Sequence, residues 1–298
     1  MIKRGNDDLS LGETLTTREV TSAEVTKTEK VHQTPIPNAE IVTKVDVTPT
    51  NPHSDPTTPE SATKLLIPNP VGIGLNENTE QIVEKYKNCH GLVSSPNIIM
   101  AKNNFPNLDG WIRVIMAPSL EGLLNIAERA KQEGIEYEAI GYGLETGKST
   151  PDEEWQNLNL SVQKARSIGE QFDKLLLFGP GFRLMSQNEE EYSSLAGLTD
   201  IWMIQTQRLQ KDPPGNDYRK HVEEVINQIR ENNPNVSIWA QITLPPDREP
   251  DAEEWLAYRN STIDLVDGTY IGVYTWDTVE NAKLLSVLEA ILSNVCMN

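Results

Sequence analysis

A (β/α)8 TIM-like barrel, preceded by a disordered N-terminal tail, is the α/β fold class that this sequence predicts. Three observations predict it. From Val71 onward, apolar runs of strand length alternate with amphipathic runs of helix length. Repeated βα units imply a parallel sheet covered by helices. Eight candidate strands match the count of a closed barrel. The later strands also carry polar or bulky residues at every second position: Gln205 and Gln207; Trp239, Gln241 and Thr243; Tyr270, Tyr274 and Trp276. A central strand of an open sheet is apolar on both faces, whereas a barrel strand turns one face to the helices and the other to the lumen.

The chain has 298 residues, enough for one barrel and a tail. Residues 1–62 are rich in Thr, Pro, Glu and Lys, and no Phe, Trp or Tyr precedes Tyr86. Such a segment buries too little apolar surface to offset its chain entropy, so 1–62 is expected to be a disordered tail and linker. Residues 63–298 are the expected barrel domain. Within it, VGIGL from Val71 reads as a first strand and NTEQIVEKYKN as its helix. NIIMAKN, from Asn97 to Asn103, reads as a second strand. The gap from there to WIRVIMAP is too short for a normal helix, so the barrel is expected to be irregular in its first units.

From Trp111 the units are plain. WIRVIMAP is a strand. Ser119 caps a helix that stops at Gly134, a residue suited to the left-handed C-terminal position. IEYEAIGYGLE, from Ile135 to Glu145, is the next strand. Thr150, Pro151 and Glu153 have the pattern of a capping box, and the helix is expected to run to Phe172. LLLFGPGF, IWMIQTQR, VSIWAQIT and YIGVYTWD follow as strands. Helices are expected near Glu189 to Ala196, over DYRKHVEEVINQIREN, over DAEEWLAYRNSTIDLV and over DTVENAKLLSVLEAIL.

A net charge of −18 repels phosphate backbones and anionic lipid. Nucleic acid and membrane insertion are therefore not expected, and no stretch approaches the roughly 18 apolar residues of a span. Cys89 and Cys296 are far apart in sequence and are expected to be free thiols. A cytoplasmic protein is the expectation as the sequence stands; a secreted one follows if a signal peptide was removed.

Active sites of such barrels form at the C-terminal ends of the strands. The candidates collected there are Glu145, Arg183, Gln205, Gln207, Arg208, Gln241, Thr243, Tyr274, Trp276 and Asp277. Glu145 ends a nearly continuous apolar strand, so its carboxylate is solvated at the mouth or paired, and partial burial would fit it for general acid or base work. Asp277 is the second acid considered, although with Glu280 it also makes a capping box. Asp247, Glu249 and Asp251 are further acids on the mouth side, whereas Glu138 lies at the far end of its strand. The glutamines and Thr243 offer hydrogen bonds to hydroxyl or amide groups. Arg183 and Arg208 would bind a carboxylate or phosphate, or neutralise Glu145. Tyr274 and Trp276 would stack on a flat or sugar ligand.

His32, His53, His90 and His221 avoid strand ends, which argues against a histidine metal site; no metal and no cofactor are expected. No lysine ends a strand, no GxSxG elbow occurs, and the spacing in GYGLETGKST does not fit a phosphate-binding loop. The set of Glu, Gln, Arg, Trp and Tyr at strand ends resembles, in kind, that of glycoside hydrolase barrels, without the DxxDxDxE pattern of the chitinase-like ones. That resemblance implies hydrolysis of a glycan-type, polyhydroxylated substrate with Glu145 as general acid or base. The alternatives are a binding barrel without chemistry, or a lyase or isomerase on the same mouth.

Overall fold

The structure is a computed structural model that describes residues 69–296 apart from 146, 148, 211–215, 245–248 and 274–280. The expected tail, 1–62, lies outside the described residues.

Eight parallel strands close into a barrel in sequence order. They are β1 (Val71–Gly74), β2 (Gly91–Ser95), β3 (Ile112–Ala117), β4 (Ala139–Tyr142), β5 (Leu175–Phe178), β6 (Ile201–Gln205), β7 (Ser237–Leu244) and β8 (Gly268–Val273). Closure is made where β1 pairs with β8, Val71 against Thr269 through Ile73 against Ile271. Around them run α1 (Glu80–Lys85), α2 (Ile98–Asn104), α3 (Leu120–Glu133), α4 (Asp152–Gln156), α5 (Leu158–Gln171), α6 (Phe182–Met185), α7 (Tyr192–Ala196), α8 (Asn216–Asn232), α9 (Ala252–Thr262) and α10 (Asn281–Cys296).

Strand alternation divides the core in two. The outward residues, among them Ile73, Val93, Ile115, Ile140, Leu176, Phe178, Trp202 and Ile242, pack beneath the helices. The inward residues Leu92, Val114, Ala139, Leu177, Ile201, Met203 and Trp239 form a separate cluster inside the barrel. Trp239 plugs that lumen. A Cβ on Gly268 would lie 2.6 Å from its ring, so the glycine gives the indole its space. The lumen is thus a packed floor, as barrel interiors are.

Acidic residues organise the opposite end. Glu138, just before β4, accepts from Arg113 N of β3 at 2.7 Å and pairs with the Arg113 guanidinium. Asp200, just before β6, accepts from Leu176 N of β5 at 2.8 Å and pairs with Arg166. Asp267, just before β8, accepts from Ile238 N of β7 at 2.9 Å and pairs with Arg230. Three times the device repeats: a carboxylate at the start of an even strand binds a free N–H of the strand before it, and an arginine balances its charge. Glu138 is structural, as its place at that end of the strand predicts.

Several expectations need correction. NIIMAKN is not a strand but the helix α2. Asn97 caps it, its Oδ1 accepting from Ile99 N at 2.9 Å and Met100 N at 3.3 Å. The second strand is the short run before it, GLVSS, and with that assignment the barrel's first units are regular. Thr150 is not an N-cap; its hydroxyl donates to Pro118 O at 2.7 Å. The single helix expected to run to Phe172 breaks at Asn157 into α4 and α5. The cysteines are not free thiols. Cys89 and Cys296 form a disulfide with Cα atoms 5.4 Å apart, joining the loop after α1 to the end of α10. Sequence distance does not separate them, because barrel closure sets the first and last helices side by side. Tyr86 hydrogen-bonds Ser293 across the same contact, and Lys85 pairs with Glu289.

Tyr142, on the outward face of β4, reaches α4. Its hydroxyl donates to Glu154 Oε2 at 2.7 Å, and the same carboxylate accepts from Leu120 N at 3.0 Å. Burial, followed by the nearby carboxylate, pushes the phenol well above its ordinary pKa. A hydrogen bond to a charged group is worth about 1.5 kcal/mol or more. Tyr142→Phe keeps the ring and loses the donor, so the barrel is expected to melt roughly 4 °C lower. An unchanged melting temperature would mean that the bond contributes nothing to stability.

Candidate functional site

A cavity of about 400 Å³ opens at the C-terminal ends of the strands. All eight ends border it or run into it: Gly74 of β1, Ser94 of β2, Met116 of β3, Gly143 after β4, Gly179 after β5, Gln205 of β6, Gln241 of β7, and Tyr270 and Gly272 of β8. Its size falls within the usual range for small-ligand pockets, roughly 300–1,000 Å³. Leu177 and Met203, from the apolar floor, line its base.

Glu145 stands at the rim, exposed, and lines this cavity. It is the single carboxylate among the described lining residues. A short chain of amides positions it. Gln205 Nε2 donates to Glu145 Oε1 at 3.2 Å. Gln205 Oε1 in turn accepts from Phe182 N at 3.2 Å and from Gln207 Nε2 at 2.8 Å. With its oxygen engaged twice, the amide presents its N–H to the carboxylate. Gly181 lies beneath, where a Cβ would come within 3.3 Å of Glu145 Cγ, and Gly181 N donates to Leu144 O at 2.8 Å. Glu145 is exposed at the mouth and accepts from Gln205; the partial burial that would suit it to acid or base work is not found.

The opposite wall is built of hydroxyls. Tyr270 and Ser94 share a hydrogen bond of 2.8 Å across the β1 strand. Two glycines of β1 admit the tyrosine ring; a Cβ on Gly72 would lie 2.6 Å from Tyr270 Cδ2, and one on Gly74 3.0 Å from its hydroxyl. Burial pushes the Tyr270 phenol up to about 12, partly countered by Ser94. It is therefore neutral at physiological pH and able both to donate and to accept.

The candidates from sequence divide as follows. Glu145, Gln205 and Gln241 come together on the cavity wall. Gln205 and Gln241 are register partners on β6 and β7, which explains their shared face. Thr243 also points inward, buried beside Gln241 and against Gly272. Gln207 does not sit on the strand: β6 ends at Gln205, and Gln207 lies in a 3-10 turn where it buttresses Gln205 instead of lining the cavity. Arg208 lies in the same turn, and its side chain is outside the described residues. Arg183 does not reach the mouth or Glu145; α6 begins at Phe182 and carries it outward to an exposed position. Tyr274, Trp276 and Asp277 lie outside the described residues, as does Asp247. Of the other acids, Glu249 pairs with Lys283, and Asp251 caps α9 by accepting from Glu253 N at 2.9 Å.

Ser94, Tyr270 and Gly272 were missed as site residues. Tyr270 already stood out in the alternation of β8. Ser94 is hidden in GLVSS, a strand whose short, small-residue sequence carries little strand signal. Among the described residues, no group of three His, Cys, Asp or Glu side chains is arranged to hold a metal ion, and no helix is long and apolar enough to cross a membrane.

No protein-family model matches the chain, and no curated protein sequence does. Solved structures do. The chain is similar to a glycoside hydrolase family 5 enzyme from Prevotella bryantii B14, in complex with a xyloglucan tetradecasaccharide. The TM-score is 0.50 at 9% identity, over 78% of this chain and 98% of that one. It is also similar to 3-keto-L-gulonate-6-phosphate decarboxylase from Vibrio cholerae, with a TM-score of 0.45 at 9% identity over 76% and 98%. A third, 2,3-dimethylmalate lyase, gives 0.43 at 8% identity over 70% and 78%. At such identities these likenesses show the fold alone, the TIM barrel. The fold hosts many chemistries.

Proposed function

We propose that the barrel mouth takes a small, neutral, polyhydroxylated ligand of the glycan type, and that Glu145 is its proton-transfer group. The observation that carries the reading is the makeup of the cavity. One carboxylate, Glu145, faces a wall of amides and hydroxyls from Gln205, Gln241, Ser94 and Tyr270 over an apolar floor. Neutral donors and acceptors suit hydroxyl groups, and convergent polar groups over an apolar floor are the usual form of a ligand site. Hydrolysis of a glycosidic bond takes two carboxyl groups, about 5–5.5 Å apart for retention and about 6.5–9.5 Å for inversion. In this reading the second is Asp277, just past β8 in the sequence. The competing reading is a barrel that binds without turnover, and it is favoured by the single carboxylate among the described lining residues. The disulfide between Cys89 and Cys296 favours an oxidising compartment, and so a secreted protein over a cytoplasmic one.

Filling the cavity tests the placement of the ligand. A Cβ on Gly179 would meet Met203 Cβ at 3.7 Å and Leu177 Cδ2 at 3.8 Å, ordinary contacts. Gly179→Leu should therefore fold, with its side chain occupying ligand volume. In calorimetric titration against a panel of neutral oligosaccharides, it is expected to bind more than about tenfold more weakly than the wild type. Equal binding by a folded Gly179→Leu variant would move the ligand elsewhere.

A further inference from the structure

The mouth has two unlike walls. Four strands apart in a ring of eight, β4 and β8 stand on opposite sides of it. The β4 side carries the Glu145 carboxylate, which when ionised can only accept hydrogen bonds. The side made by β8, β1 and β2 carries unused donors. There the Tyr270 ring lies over Gly72 and Gly74, so its hydroxyl comes up beside Gly74, the register partner of Ser94. Tyr270 and Ser94 hold two hydroxyl hydrogens between them and share one bond, and neither oxygen has another partner among the described residues. One O–H is left over. Asn76, two residues past β1, adds a second donor. Its Oδ1 accepts from Asn78 N at 2.8 Å and from Thr79 N at 3.1 Å. Only the oxygen of an amide can accept, so the side chain's orientation is fixed and Nδ2 is the end left to donate. Asn76 is half-buried and lines the cavity together with Gly74, Ser94 and Tyr270.

A ligand that displaces water from these donors must accept from them, or leave them buried without partners at a cost. A carbonyl oxygen suits them. It has two lone pairs, for an O–H and an N–H, and no hydrogen of its own to place. No lysine or arginine is among the described lining residues, so the donors favour a neutral carbonyl over a carboxylate or phosphate.

We propose that Asn76 and the Tyr270–Ser94 pair form a subsite for a carbonyl oxygen of the ligand, from an N-acetyl or lactone group on a sugar. Asn76 Nδ2 and the Tyr270 hydroxyl donate to that oxygen, and Ser94 donates to Tyr270. Donation from Ser94 polarises the phenol and strengthens its bond to the ligand. The subsite orients the sugar, with its carbonyl against β1, β2 and β8 and its other face toward Glu145. This inference rests on the cavity being the ligand site, and narrows the ligand to carbonyl-bearing sugars.

Calorimetric titration of three ligands of equal length tests it: a cello-oligosaccharide, its aldonolactone and the N-acetylglucosamine oligomer. The wild type is expected to bind at least one carbonyl-bearing ligand about tenfold more tightly than the plain one, and the ligand preferred identifies the source of the carbonyl. Tyr270→Phe keeps the ring over the two glycines and removes the hydroxyl. Asn76→Asp keeps an oxygen for the turn and removes the N–H donors. Each variant is expected to bind the preferred ligand about tenfold more weakly and to lose most of the preference over the plain one. Melting curves show whether each variant folds, and Asn76→Asp decides alone if Tyr270→Phe does not. If the wild type binds all three equally, the subsite falls and the cavity reading stands. Folded variants that keep the full preference also overturn the subsite. If the wild type binds none of the three and nothing else in the panel, the cavity reading falls and the subsite falls with it.

Discussion

Glu145→Gln is expected to lower turnover of a responsive oligosaccharide by at least about 100-fold, because a positioned acid or base contributes about 10²–10⁴ in rate. The substitution keeps the length and shape of the side chain. It also keeps a hydrogen-bond acceptor for Gln205, whose Nε2 lies 3.2 Å from the carboxylate in the wild type. The residue is exposed at the rim, so little stability rests on its charge. The melting temperature should accordingly stay within roughly 2 °C of the wild type. The two measurements together separate a chemical role from a structural one. Turnover that survives in a folded Glu145→Gln protein removes this residue from the mechanism. A wild type that binds oligosaccharides and turns none of them over supports the binding barrel. In that case Glu145→Gln should change affinity by the worth of a hydrogen bond, about tenfold or less.

How far the sequence reveals this site depends on which physical signal each residue carries. Gln205, Gln241 and Thr243 were legible because strand alternation is strict, and polar side chains on an inward face stand out among apolar neighbours. Glu145 was legible as a carboxylate at the end of an apolar run. For Gln207 the same alternation runs past the end of the strand; two residues beyond Gln205 the chain is already a turn. Arg183 misled for a related reason. LLLFGPGF reads as one strand, but β5 ends at Phe178 and α6 starts at Phe182, which leaves Arg183 exposed and off the cavity wall. Ser94 is hard to see in the sequence because GLVSS is five residues long and largely small, while the neighbouring NIIMAKN is more apolar and has the stronger strand pattern. There the decisive signal was Asn97, a side chain suited to capping a helix. The disulfide depends on a contact across 207 residues of sequence, which only the closure of the barrel creates.

That closure makes the disulfide a lock on the barrel's seam. It ties the loop after α1, in the first βα unit, to the last residue of α10, beside the β1–β8 pairing that completes the ring. In the chain-entropy view, a link closing 207 residues restrains the unfolded chain by about 5 kcal/mol, and measured disulfides contribute about 2–4 kcal/mol. Full reduction, or paired replacement of Cys89 and Cys296 by serine, is expected to lower the melting temperature by roughly 5–15 °C. The size of the loss also reports how the barrel opens. If α10 frays on its own, reduction removes hydrogen-exchange protection from that helix while the other helices keep theirs, and the global transition moves little. If the seam opens as a unit, protection in β1, β8, α1 and α10 falls together and the whole transition shifts. The shared contacts of Tyr86 with Ser293 and Lys85 with Glu289 bind α1 to α10 independently of the sulfurs, and they favour the second outcome. A melting temperature and exchange pattern both unchanged, after both thiols have been shown to titrate, would leave the link without a stabilising role.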